Sequence, residues 1–168
     1  MKDKKDLLYK VAVSHIPKIG PVTTKNLIAY VGNIEAIFKE RKSALQKIPG
    51  ISTALVGQLK SENVLRKAEA ELEFIDKYQI KTCFFLDDNY PKRLKEFHDA
   101  PTILYYKGEI DFNRDKLLSI VGTRKATDYG RGACDEFIKD LAESHKPIIV
   151  SGLAYGIDVC AHKSALKY

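Results

Sequence analysis

Apolar positions recur at two periods along this chain, and the change from one to the other divides it. From Val22 to Tyr30, Thr53 to Leu59 and Glu62 to Tyr78 the spacing is helical. In the last of these, Leu65, Ala68, Leu72 and Ile75 share one face, which predicts an amphipathic connecting helix. Beyond it the apolar runs shorten. Thr82 to Leu86, Ala100 to Gly108, Leu117 to Val121 and Pro147 to Ser151 are bounded by turn residues and read as strands. Between the last two lies a predicted helix, with Thr127 or Asp128 as N-cap and Ala133, Phe137, Ile138 and Leu141 as a buried stripe. The 30 residues separating Leu118 from Ile148 fit a right-handed βαβ unit, which puts both strands in one parallel sheet. The loops after Val121 and Ser151 then open at the same carboxyl edge, where open α/β sheets bind ligands.

Two short segments near the start repeat each other. Ile16-Pro-Lys-Ile-Gly20 and Ile48-Pro-Gly-Ile-Ser52 each precede a helical run, offset by 32 residues. Each reads as helix, tight turn, helix, with backbone N–H groups at the second helix's start able to accept a phosphate without reading bases. The pair resembles tandem helix-hairpin-helix motifs, although Lys18 and Ser52 stand where that motif prefers glycine. Lys18, Gly20, Lys25, Lys47 and Gly50 are the candidate backbone contacts; packing or protein contact is the other use of such hairpins.

Charge sharpens this picture. Residues 1–60 carry 11 Lys and Arg against 4 Asp and Glu, whereas residues 61–168 carry 17 against 18, within a net charge of +6. The basic excess sits in the first third, as expected of a module that touches a polyanion, or of a solvated lysine face. Length and composition allow one ordinary core, or one small domain and part of a larger one. No apolar run reaches the roughly 18–20 residues that span a bilayer, and the first residues lead into no signal-type segment, so a soluble cytoplasmic protein is expected. Cys83, Cys134 and Cys160 fit neither a disulfide framework nor a zinc site and read as buried free thiols.

The chemistry concentrates in two loops. Gly122 allows close backbone approach, Thr123 offers a hydroxyl, Arg124 a planar fork for phosphate oxygens and Lys125 a point charge. The helix beginning near Asp128 aims its positive end into the same space. The second loop, Ser151-Gly-Leu-Ala-Tyr-Gly-Ile-Asp158, forms the opposite lip, and Tyr129 and Tyr155 are candidate stacking platforms or packing groups. Asp158 and His162, at i and i+4, form either a structural pair that orders the helix start or part of a hydrolytic site that would need Ser151 or a bound water as nucleophile.

These motifs, with Tyr90-Pro-x-x-Leu94 and Asp99-Ala-Pro-x-x-Leu104, resemble the DNA-processing protein A (DprA, or Smf) family over residues 82–166. The resemblance implies a non-enzymatic, single-stranded-DNA-binding protein of bacterial transformation that helps load the RecA recombinase, uses no cofactor or metal, and forms a homodimer at full length. It also implies DNA-binding roles for Gly122, Thr123, Arg124, Lys125, Thr127, Ser151, Gly152, Leu153, Ala154 and Gly156. The expected fold is α/β: a helix-hairpin-helix or SAM-like all-α domain over residues 1–61, a connecting helix over 62–80, and a partial Rossmann-like parallel sheet over 81–168. Because the chain stops at Tyr168, soon after the second βα unit, an N-terminal fragment is expected. The rival readings are a Rossmann-like nucleoside monophosphate phosphoribohydrolase, with Asp158 and His162 at the ribosyl bond, and a protein-contact module built on the hairpins.

Overall fold

Helix α1 (Lys2–Ser14) turns Val11, Ala12 and Val13 fully into the interior, and its apolar face decides how the first part of the chain packs. The computed structural model describes residues 2–168, with side chains from residue 4 onward. Five further helices follow: α2 (Pro21–Val31), α3 (Ile34–Lys39), α4 (Lys42–Leu45), α5 (Thr53–Leu59) and α6 (Glu62–Lys77). Side-chain caps set two of the starts, the Asn33 Oδ1 accepting from Ala36 N at 2.8 Å and the Ser52 Oγ from Leu55 N at 3.2 Å. Such caps satisfy donors that the helix cannot, for about 1 kcal/mol each.

Helix α6 packs along α1 with the face expected of it, burying Ala68 and Ile75 outright, while Leu65 and Leu72 pack against the core half-buried. Strand β1 (Lys81–Phe84), the single turn α7 (Lys92–Lys95) and strand β2 (Ile103–Tyr106) come next. Phe84 and Ile103 join the same core as Leu27, Ile37, Leu45 and Leu59, each of which contributes about 1.5–3 kcal/mol by burial. Lys10 locks this corner. Its ammonium bridges Asp6 at 2.9 Å and Asp87 at 3.1 Å, and lies over the Phe84 ring. Burial disfavours that charge, but the two carboxylates outweigh burial and raise the lysine pKa.

Contacts divide the chain into two compact units, Met1–Asn113 and Arg114–Tyr168. The edges expected at residues 61 and 80 both fall inside the first. The second unit runs β3 (Leu117–Ser119), α8 (Asp128–Ser144), β4 (Ile148–Val150) and α9 (Ile157–Lys167). Strands β3 and β4 pair in parallel with Leu118 opposite Ile149, as the βαβ spacing requires.

Three expectations are corrected here. The four strands do not share a sheet: β1 and β2 pair with each other in antiparallel register, Cys83 opposite Leu104, leaving two separate two-stranded sheets. The fold is thus mixed α/β with a mostly helical core. The stripe on α8 is only partly buried. Ile138 is enclosed and Leu141 half-buried, whereas Ala133 and Phe137 are exposed, because α9 and two short strands are too small to cover the helix. Of the three free cysteines only Cys83 is buried; Cys134 and Cys160 are half-buried. Burial, together with the neighbouring Cys160 thiol, pushes the Cys134 thiol up to about 11.

Candidate nucleic-acid interface

The second unit brings its two glycine loops into direct contact. Past β3 the ladder continues for one residue, Ile120 N donating to Val150 O at 2.9 Å, and the Ser151 hydroxyl then donates to Ile120 O at 2.7 Å. The chain leaves the sheet at Gly122, whose N–H donates to the Asp158 Oδ1 at 3.3 Å. One residue on, Thr123 O accepts from Ile157 N, the first amide of α9, at 3.2 Å. The first loop is therefore sewn to the start of the second helix by its backbone.

This approach needs glycine. A side-chain carbon at Gly156, which holds φ +89°, would stand 2.1 Å from Thr123 O, and one at Gly122 would stand 2.7 Å from the Ile157 Cβ. Leu153, in the same second loop, also adopts a left-handed φ of +55°, a costly position for a branched side chain that clusters at functional sites. Ala154 O accepts from Val159 N at 3.1 Å and closes the loop.

Gly122 lies exposed with the side chains that follow it. Thr123, Arg124 and Lys125 are exposed, as are Gly152 and Leu153; Ser151, Ala154 and Gly156 are half-buried. Thr127 is the N-cap of α8, its Oγ accepting from Gly130 N at 3.1 Å. Arg131, which sequence reasoning did not single out, donates to Ala126 O and pairs with the exposed Asp128, bracing the end of the first loop. Tyr129 and Tyr155 stand 86% and 84% exposed, so neither ring packs among the described residues.

Asp158 is only 6% exposed and is directed to Gly122 N–H, not to His162. The expected Asp158–His162 pair does not form, because the carboxylate is needed where the two loops meet. The i, i+4 spacing concealed this, since Asp158's partner lies 36 residues away. Among the described residues no group of three or more His, Cys, Asp or Glu is placed to hold a metal ion, and no helix is long and apolar enough to cross a membrane.

The hairpin candidates all lie in the first unit, where the two turns are duplicates. Ile19 N donates to Ile16 O and Ile51 N to Ile48 O, both at 3.1 Å, and all four isoleucines are buried. Lys18, Gly20, Lys47 and Gly50 are exposed. Lys25 is not free. Its ammonium donates to Phe97 O at 3.1 Å and His98 O at 2.8 Å, which binds α2 to the loop before β2.

Fold and site together define a mixed α/β protein in which paired glycine loops, joined at the ends of parallel strands, present an arginine and a lysine. Residues 81–168 match the family model of DNA recombination-mediator protein A, and the chain belongs to that family. Protein Smf of Synechocystis sp. is 32% identical over 95% of this chain and 41% of its own length. DNA processing protein DprA of Streptococcus pneumoniae is 42% identical over 49% of this chain and 28% of its own. The X-ray structure of DNA processing protein A from Streptococcus pneumoniae superposes with a TM-score of 0.66 at 27% identity, covering 95% of this chain and 52% of that one. The chain thus spans less than half the length of these curated relatives.

Proposed function

We propose that the second unit grips the phosphodiester backbone of single-stranded DNA, as part of a recombination mediator of natural transformation that loads the RecA recombinase and acts as a homodimer. In this reading the β3–α8–β4–α9 arrangement is the start of a Rossmann-like sheet, used without cofactor or catalysis. The observation that carries it is how the loop's polar groups are allotted. Gly122 N–H and Ile157 N–H, which a dinucleotide fold would aim at a pyrophosphate, are consumed by Asp158 and Thr123 O. Arg124 and Lys125 remain at the surface, where a guanidinium fork and a point charge suit a passing backbone. Exposed Tyr129 and Tyr155 supply faces on which bases of any identity stack.

Gly122, Thr123, Arg124, Lys125 and Thr127 form one side of the proposed interface, and Ser151, Gly152, Leu153, Ala154 and Gly156 the other. The duplicated hairpins of the first unit are a second, helix-hairpin-helix-like contact through Lys18, Gly20, Lys47 and Gly50. Fluorescence anisotropy of a labelled oligothymidine tests the reading. Binding is expected to fall with salt, and Arg124→Ala to weaken it about tenfold and flatten the slope of log K against log salt by about 0.7 for the lost phosphate contact. Salt-insensitive binding, or an Arg124→Ala protein indistinguishable from wild type, would refute it. RecA loading is tested by whether the full-length protein speeds RecA filament formation on single strands.

A further inference from the structure

We infer that Asp158 is the positioning residue of this interface, a buried carboxylate that holds the Gly122–Lys125 loop against the Gly152–Gly156 loop; the inference rests on the DNA-backbone reading. A carboxylate beside a polyanion site is at first sight misplaced, since it repels phosphate. Its geometry resolves the conflict. Asp158 lies 6% exposed in the first turn of α9, withdrawn from the surface that presents Arg124. One oxygen bonds the first loop and the other lies close against the second. Oδ1 accepts from Gly122 N, and Oδ2 lies where a side-chain carbon on Gly152 would stand 2.9 Å away.

An ionised carboxylate only accepts, so it fixes the orientation of the Gly122 peptide without competing for a donor elsewhere. Arg124 begins two residues later, and between them Thr123 O is tied to Ile157 N. The guanidinium is therefore carried on a backbone anchored at both preceding residues, and a fixed backbone lowers the ordering cost of binding. Asp158 touches no ligand in this scheme. Its effect runs through Gly122.

The test is oligothymidine anisotropy at several salt concentrations with wild type, Asp158→Ala, Asp158→Asn and Arg124→Ala, alongside hydrogen exchange of the Gly122 amide. Asp158→Ala is expected to bind about tenfold more weakly with the wild-type salt slope, because a hydrogen bond to a charged group is lost but no cation is. Its Gly122 amide should exchange fast. Asp158→Asn keeps an acceptor oxygen in place and should bind within about threefold of wild type with a protected amide. Wild-type affinity in a folded Asp158→Ala protein, or an Asn variant as weak as the Ala one, would overturn the inference. Should Asp158→Ala fail to fold, Asp158→Ser, whose shorter side chain does not reach Gly122 N, takes its place, and wild-type affinity in that variant with a fast-exchanging Gly122 amide would overturn it equally. Arg124→Ala separates the two levels: if it weakens binding and Asp158→Ala does not, only the positioning role fails, whereas an inert Arg124→Ala defeats the interface reading and the inference with it.

Discussion

Lys18 and Gly50 occupy the same place in two turns 32 residues apart, and both have φ in the left-handed region, +66° and +82°. Glycine accepts that conformation freely, whereas a residue with a Cβ carries about 1–2 kcal/mol of strain. Replacing Lys18 by glycine removes the strain but frees more of the unfolded chain, which offsets about 0.5–1 kcal/mol. Lys18→Gly is therefore expected to stabilise the first unit by about 0.5–1 kcal/mol, read as a higher denaturant midpoint at unchanged m-value. A lower midpoint would mean that the lysine stem packs on the turn more firmly than its exposure indicates. That a strained lysine stands where the sister turn has glycine fits a surface role for its charge.

At the scale of elements, a half-buried carboxylate that sequence reasoning passed over ties α8 to α9. Asp135 accepts from Ser164 Oγ at 2.6 Å, Lys167 Nζ at 3.2 Å and the Tyr168 hydroxyl at 3.0 Å. The Ser164 hydrogen bond foremost, then those from Lys167 and Tyr168, hold the Asp135 pKa below its ordinary value. A depressed folded-state pKa means stability that is present above the unfolded value, near 3.9, and is lost as pH falls through the folded one. Thermal unfolding of the second unit followed from pH 6 to pH 2 should show that loss, and Asp135→Asn should flatten it. Identical pH profiles would remove Asp135 from the account. The elements themselves were largely legible. Helix α5 was expected at its observed bounds from its helical spacing, and the structure adds the Ser52 cap that fixes its start; β3 and β4 were placed in one parallel sheet by a 30-residue spacing with room for a crossover helix. What pairs at long range was not: apolar runs mark β1 and β2 as strands without naming their partner. Helical spacing likewise linked Asp158 to His162 when its true partner is a backbone amide in another loop.

For the whole molecule, the distribution of charge separates two ways of holding a polyanion. The first third holds the net positive charge, yet the loops proposed to grip phosphate lie in the second unit. Lysine count alone overstates the first unit's share, because Lys25, Lys10 and Lys60 are committed to Phe97 and His98, to Asp6 and Asp87, and to Phe38 O. Lys18 and Lys47 remain exposed on the duplicated turns. If both turns contact a single strand, Lys18→Ala with Lys47→Ala should flatten the log K against log salt slope by about 1.4, twice the value for one phosphate. The same double variant combined with Arg124→Ala should then lose about 2.1, because sites that neutralise separate phosphates add. A double variant with the wild-type slope, beside an Arg124→Ala protein that loses about 0.7, would assign DNA contact to the glycine loops and leave the basic first third as a solvated face.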